Sequence, residues 1–479
     1  MRSRFVRSVT RCRRRFSFVL AVVIVGCLLT PALAVAATPD PVGTLPVADR
    51  PEAVPGDLLV WTSYGGAVAK LDLFNHAAVA PDGSLYAVGD SDSDYPNGGY
   101  MTVAKYPVAG GDATWRKDYR PAGALLCMTS AVAADNASGV VVTGTCLDAA
   151  GFGMATVHYD KDGTLLWAAV DRGMGKDVVC DAEGNAIVCG TVGSVGWARV
   201  VSYDYAADPE HPLVGHERWN HYLTGTAADQ GAWATSLLMG SSGQLYVVGE
   251  REMRSTMANI FALKLRAADG HRYWLRGWSS AGARNDQPGP IACGRGGLAI
   301  TATIPTSTQG TDIVLLRYST LGRRTLVRHW NDADDADDMP SGVGIDGSGA
   351  AYVSGQYLPD IDPTRGVLVK WDRFGHRCWV RVYGTENLGG AGFNDLVVDG
   401  AGSAWVVGFK GGSIMELLLA KYTAAGSLVY ANGWAGPPAD ARGGRWYGCL
   451  LCGTDSLFAV GEIRVTGGLP DAAAAWYRR

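Results

Sequence analysis

A short apolar stretch that closes on a small residue recurs eight times along this chain, as in Ser84–Gly89 (SLYAVG), Leu245–Gly249 (LYVVG), Ala404–Gly408 (AWVVG) and Leu457–Gly461 (LFAVG). The closing residues are Gly89, Gly144, Gly190, Gly249, Ala302, Gly355, Gly408 and Gly461, so seven intervals average about 53 residues. That period is too long for ankyrin or leucine-rich repeats and suits a four-stranded β-propeller blade. A single copy cannot bury both of its faces, so neighbouring copies must stack. The pattern constrains architecture far more than activity, because propellers host binding, scaffolding and enzymatic roles alike.

In the first complete copy, Asn75–Ala80 reads as a strand of small residues and Pro81–Ser84 as a turn. Leu85–Gly89, Met101–Tyr106 and Thr114–Tyr119 follow as the second, third and fourth strands. The turn chemistry recurs at Lys161–Thr164, Asp181–Asn185, Asp346–Gly349 and Asp399–Gly402, where Asp supplies local hydrogen bonds and Gly a positive φ. An aromatic column ends the third strands: Tyr106, Tyr159, Tyr203, Tyr318, Trp371, Tyr422 and Tyr477, with Leu265 the exception. A tryptophan column marks the fourth: Trp115, Trp167, Trp219, Trp274, Trp330 and Trp379, then Tyr430 or Trp434. Small residues in the first strand and bulky ones outward make the wedge that a radial array needs. The last copy supplies three strands, ending at Trp476 and Tyr477, while Asp57–Trp61 reads as an orphan strand that completes it. The expectation is an all-β, eight-bladed β-propeller with four antiparallel strands per blade, its last blade closed by the N-terminal strand. Seven blades is the fallback if the weak copy near Ala292–Ala302 is an insertion. Such closure removes the sheet edges that template aggregation.

The first 36 residues carry seven arginines and no acid, then the apolar run Phe18–Leu29 and a small-residue site at Ala34–Ala36, the layout of a signal peptide. Residues 37–56, with five prolines, read as an extended linker, and 57–479 as a single propeller domain. Loss of the leader turns 42 basic residues into 35 against 46 acidic ones, a net charge of −11 in place of −4. An acidic exported body disfavours nucleic acid and anionic lipid as partners. A secreted or envelope-associated monomer with no membrane span in its mature form is expected. Lipidation at Cys27 and a retained anchor stay open.

The units resemble the secreted bacterial β-propeller repeat family, whose copies read D-x-x-G-N-x-Y-V-x-G followed by K-Y-D-x-x-G-x-x-x-W. The matching stretches are Asp346–Gly355 with Lys370–Trp379, and Asp399–Gly408 with Lys421–Tyr430. Tryptophan docking and the count of eight also resemble quinoprotein-type propellers. The resemblance spans nearly all of the chain after the leader and implies fold rather than function.

Eight cysteines remain once Cys12 and Cys27 leave with the leader, and export permits disulfides. If Val132 faces Val141 across the second hairpin, the same register puts Cys127 opposite Cys146, which makes this pair the expected bridge. Cys180 and Cys189 share a hairpin but miss direct pairing by about two residues on each strand, and their bridge is left open. Cys449 and Cys452 fall on one inner strand and lack further ligands for zinc. Cys293 and Cys378 read as isolated core cysteines.

Strand parity places the loops between second and third strands, and those between blades, on one side of the disc, with the Asp-Gly turns on the other. The loop-rich side is therefore the expected binding face. It carries Asp90–Asp94, Arg276–Pro288, Asn331–Asp338, Leu358–Arg365 and Ala435–Arg445. Asp335 and Asp337 enter the sixth blade while Asp360 and Asp362 lie in its own long loop, and converging carboxylates suit Ca2+, although neither stretch is an EF-hand. A basic column (Lys105, His158, Lys264, Arg317, Lys370, Lys421) is expected to pair with turn acids such as Asp160 or Asp372. No G-x-S-x-G, Walker or H-E-x-x-H pattern occurs. Two functions follow: an exported non-catalytic propeller binding a protein or glycan through its loop-rich face, or a propeller enzyme of quinoprotein or polysaccharide-lyase type.

Overall fold

The structure, a computed structural model, describes residues 58–64, 72–91, 99–193, 196–207, 211, 213–224, 229–253, 257–281, 285–306, 310–331, 336–359, 363–384, 389–411, 414–435, 441–452, 456–465 and 470–478. The proposed leader (1–36) and linker (37–56) lie outside these residues. Every regular element among the described residues is a β-strand, and none is a helix able to cross a membrane.

The strands follow one another as antiparallel meanders of four: 72–119, 126–172, 174–223, 229–278, 287–330, 337–383, 391–434, and 441–478 joined by Leu58–Tyr64. Four stand as separate sheets. The second and third share a sheet through a short parallel contact at Leu213↔Trp167, and the fifth and sixth through Thr311↔Asp337. The strand expected at Asp57–Trp61 runs Leu58–Tyr64 and pairs antiparallel with Asp471–Arg478, from Leu58↔Tyr477 to Tyr64↔Ala472, so the two ends of the body meet in one sheet.

The first strands of the meanders pack side by side in sequence, and the last of them, Ala441–Cys452, packs against the first, Asp72–Val79. Their small residues make this possible. A Cβ on Gly344 would lie 2.5 Å from Val398 Cγ2, and one on Gly342 2.8 Å from Leu396 Cβ, so side chains there would drive neighbouring sheets apart. Each seam has an apolar filling. Between the last meander and the first, Phe458 and Trp476 pack with Phe74 and Tyr106, the Tyr106 and Trp476 rings 5.4 Å apart. The aromatic column ending the third strands is buried throughout, Leu265 included.

The recurring glycine marks a different event from the strand end inferred above. The second strands run on past it, as Leu85–Ser91 and Gln244–Met253 do. Opposite it the first strand always bulges. Phe74 faces Gly89 but His76 faces Val88, leaving Asn75 extra; the same slip leaves Ser130, Lys176, Thr235, Ser341, Asn394 and Tyr447 extra opposite Gly144, Gly190, Gly249, Gly355, Gly408 and Gly461. At all seven glycines an added Cβ would come under 3.0 Å from a carbonyl oxygen of the bulged strand. Only glycine lets the two backbones approach so closely. The exception explains itself: at Ala302 the register passes from Pro288↔Ala302 to Ile291↔Ile300, a wider bulge through Gly289 and Pro290.

The bulge also refines the disulfide argument. Below it Val132 faces Val142, not Val141, while above it Cys127 faces Cys146, and these two form the disulfide with Sγ atoms 2.04 Å apart. Cys180, Cys189, Cys293, Cys378 and Cys449 are free thiols. Cys180 faces Ala186 and Cys189 faces Asp177, which keeps that pair apart. Cys378 is exposed rather than in the core, because it lies on a fourth strand, Arg377–Tyr383, at the outer rim.

Candidate functional site

Most of the charge and aromatic repeats serve the seams. In four meanders the turn between first and second strands starts on an Asp (Asp135, Asp181, Asp346, Asp399) whose Oδ1 accepts the N–H groups two and four residues on, as at Asp135 (2.7 and 2.8 Å) and Asp346 (2.9 and 2.9 Å). An acid of this turn also takes members of the basic column: Lys105 reaches Asp82 at 3.5 Å, His158 reaches Asp135 at 2.7 Å and Lys370 reaches Asp346 at 3.6 Å. Where the column meets an acid, it is one of the first turn rather than Asp160 or Asp372; Lys264 and Arg317 instead bond main-chain carbonyls, of Thr320 and of Arg295 and Gly349. Asp160 and Asp372 belong to the turn after the third strand, whose Oδ1 atoms are taken by their own N–H groups.

The tryptophans dock on the turn after the third strand of the next meander. Trp115, Trp274 and Trp379 donate Nε1–H to Lys161 O (3.0 Å), Thr320 O (3.1 Å) and Ala424 O (3.2 Å). The same three carbonyls accept from Lys105, Lys264 and Lys370. Each ring lies over the positive-φ glycine of that turn, and a Cβ on Gly163, Gly322 or Gly426 would stand 2.9, 2.8 or 2.7 Å from the indole. One member of the expected column falls elsewhere, and one open choice is resolved. Leu326 occupies the docking position in the fifth meander, opposite Arg317, while Trp330 faces Ile313 farther along; in the seventh, Tyr430 rather than Trp434 faces the basic residue Lys421. Arg276, Arg328 and Arg381 then fix the register by bonding the carbonyls of Gly322, Gly375 and Gly426.

With these groups committed, a cavity of about 540 Å³ remains, lined by the bulges of all eight first strands. Two carboxylates on its wall come from the third and seventh meanders and repeat one geometry. Asp177 accepts Val178 N–H and Leu237 N–H, each at 2.8 Å; Asp395 accepts Leu396 N–H at 2.7 Å and Cys449 N–H at 2.9 Å. Each ties its bulge to the first strand of the next meander. Burial outweighs these bonds and pushes Asp177 up to about 7 and Asp395 up to about 6. Asn75 and Asn394 span the next seam likewise, donating to Thr129 O (3.3 Å) and Trp446 O (2.7 Å). His76 opens onto the cavity, yet the protein around it pushes the imidazole down to about 4.

Of the acidic residues expected to hold calcium, Asp335, Asp360 and Asp362 lie outside the described residues. Asp337 begins the first strand of the sixth meander, and its Oδ1 accepts the Thr311 hydroxyl at 3.3 Å. Among the described residues no group of three His, Cys, Asp or Glu side chains is placed to hold a metal. The loop-face assignment agrees with main-chain links from the second-to-third-strand loop of one meander to the start of the next, such as Cys127 N–H to Gly99 O and Ala391 N–H to Thr364 O. The sequence reading missed the cavity. Its signal was the repeated mid-strand glycine, which announces a bulge on the partner strand.

No protein-family model matches the chain, and no curated protein matches it. Solved structures do. A quinohemoprotein alcohol dehydrogenase from Comamonas testosteroni matches with a TM-score of 0.52 at 11% identity, over 86% of this chain and 76% of that one. The Dos1 propeller matches with a TM-score of 0.51 at 10% identity, over 86% and 95%. Sqt1 from Chaetomium thermophilum, bound to the N-terminus of the ribosomal protein L10, matches with a TM-score of 0.53 at 11% identity, over 87% and 100%. At such identities the likeness concerns the fold: the chain folds as a β-propeller.

Proposed function

We propose that residues 57–479 form an eight-bladed propeller that acts as an exported, non-catalytic binding module for a protein or glycan, engaged through the loop-rich face. The observation that carries this reading is the asymmetry of the two faces. On the turn face, Asp-Gly turns, basic residues and docked aromatics spend their polar groups on the neighbouring meander. The opposite edge carries the described ends of the connections between second and third strands and between meanders, and segments of varied length there suit binding on a rigid scaffold. The eight meanders supply the eight blades, and pairing of Leu58–Tyr64 with Asp471–Arg478 supports a ring sealed by the two ends. Protein binding is the role stated for Sqt1, a propeller of similar fold. Calcium enters as an accessory ligand of Asp335, Asp337, Asp360 and Asp362, tested by whether it raises the melting temperature.

The test is a pair of alanine sets, one across the loop Leu358–Arg365 and one across the turns at Asp160–Gly163 and Asp372–Gly375. Each is assayed with residues 57–479 on a glycan array and by cross-linking to envelope proteins. Signal lost with the loop set and kept with the turn set supports the reading. Signal kept with the loop set, or lost equally with both, refutes it.

A further inference from the structure

The wall of the axial cavity is chemically lopsided. In the sixth and seventh meanders its polar groups have partners: Ser341 bonds Ser354 at 3.1 Å, and Asn394 both accepts from Gln356 at 2.8 Å and donates to Trp446 O. The first four meanders present His76, Ser130, Lys176 and Ser236, whose side chains have no hydrogen-bond or ion-pair partner among the described residues. These four come from consecutive first strands, so they form one arc, with the strand that carries Lys176 between two that each contribute a serine to the cavity wall. His76 and Lys176 are exposed to the cavity and Ser130 and Ser236 half-buried, so their polar atoms stand open to a ligand there rather than being spent within the fold.

We propose that this arc is a binding site for the carboxylate of a small hydroxylated acid, such as a sugar acid, with Lys176 on the carboxylate and Ser130 and Ser236 beside it. The site lies at the axis and is independent of the loop-face reading, so either can fail alone. A monoanion suits it better than a phosphate dianion, because the wall carries a single ammonium and also two carboxyls, Asp177 and Asp395. Both are already engaged by two backbone N–H groups, and burial shifts Asp177 toward its protonated form, which eases its repulsion of an anion. His76, held neutral, can donate one hydrogen bond and accept another. A cavity of about 540 Å³ falls in the size range of small-ligand sites.

Calorimetry on residues 57–479 with D-glucuronate, D-gluconate, D-glucose and inorganic phosphate tests the proposal. One of the two carboxylates is expected to bind at least tenfold more tightly than glucose and more tightly than phosphate. Lys176→Met is expected to weaken it by roughly ten- to a hundredfold, the worth of a charge-assisted hydrogen bond. Because Lys176 has no partner in the fold, the variant should keep the wild-type melting temperature. Ser130→Ala, expected to lose severalfold, serves if it does not. Neither carboxylate binding at millimolar concentration, phosphate binding more tightly, or Lys176→Met and Ser130→Ala both binding like wild type would overturn the assignment.

Discussion

Replacing Gly408 by alanine asks whether the repeated glycine is there for the bulge. A Cβ at this position would stand 3.0 Å from the carbonyl carbon of Gly392 and 3.1 Å from Cα of Phe393, with the Gly392 oxygen nearer still. All three are backbone atoms, so no side chain can swing away; the two strands must part by about 1 Å, a small-to-large strain of roughly 1–3 kcal/mol. Parting also weakens the flanking ladder bonds, at about 1 kcal/mol each. Against this, alanine gains about 0.5–1 kcal/mol over glycine within a strand. The net expectation is a loss of about 2–3 kcal/mol. Gly277→Ala is the control: it lies in the strand Arg272–Trp278 with nothing within 4 Å of a new Cβ, and it should be neutral or slightly stabilising. Equilibrium denaturation in guanidinium, followed by tryptophan fluorescence, measures both. If Gly408→Ala unfolds within about 0.5 kcal/mol of Gly277→Ala, the close backbone approach does not explain the repeat.

Trp379→Phe should cost about 1 kcal/mol, because Ala424 O keeps its bond from Lys370, whereas Trp379→Ala should cost about 3–5 kcal/mol by emptying the space over Gly426; equal losses would show that the indole N–H, not the ring, holds the seam. Asp177 binds its proton more tightly in the fold than in the unfolded chain, with a value near 7 against an ordinary 3.8, so its contribution is present at low pH and lost as pH rises through that window. The stability of wild type minus that of Asp177→Asn should therefore fall between about pH 4 and 8, His76 cancelling in the difference, and a flat difference would contradict the burial of Asp177. The Cys127→Ala/Cys146→Ala double variant, which opens a link across a sequence separation of 19, should lose about 3 kcal/mol in oxidising buffer and match reduced wild type in dithiothreitol.

Much of the fold was legible because the rules involved are local. Asp-Gly turns, the buried aromatic at the end of each third strand and the small residues of the first strands all follow from chemistry within a few residues. Cys127 and Cys146 could be matched from hairpin register alone, although the register beneath them was one residue off, because the unseen bulge at Ser130 lies between. Assignments that depended on a neighbouring meander fared worse. Trp330 looks like a member of its column, yet Leu326 holds the docking position, since the register of that strand against Ile313–Arg317 decides which side chain meets Gly375. The basic column had acids on both sides in sequence, and only the packing of turns shows which acid it meets.

The order of the strands, their turns and the pairing of the chain's two ends were written in the residues themselves, because strand periodicity and turn geometry act over short distances and repeat faithfully. The cavity was not. Asn75, Ser130, Lys176, Thr235, Ser341, Asn394 and Tyr447 follow the period of the glycines but have no residue type common to all; what they share is a place opposite a glycine, where a strand must yield one residue to let two backbones touch. Only when the first strands close around one another do those yielded residues face a common space, and only then can an unpaired lysine and two serines become a site.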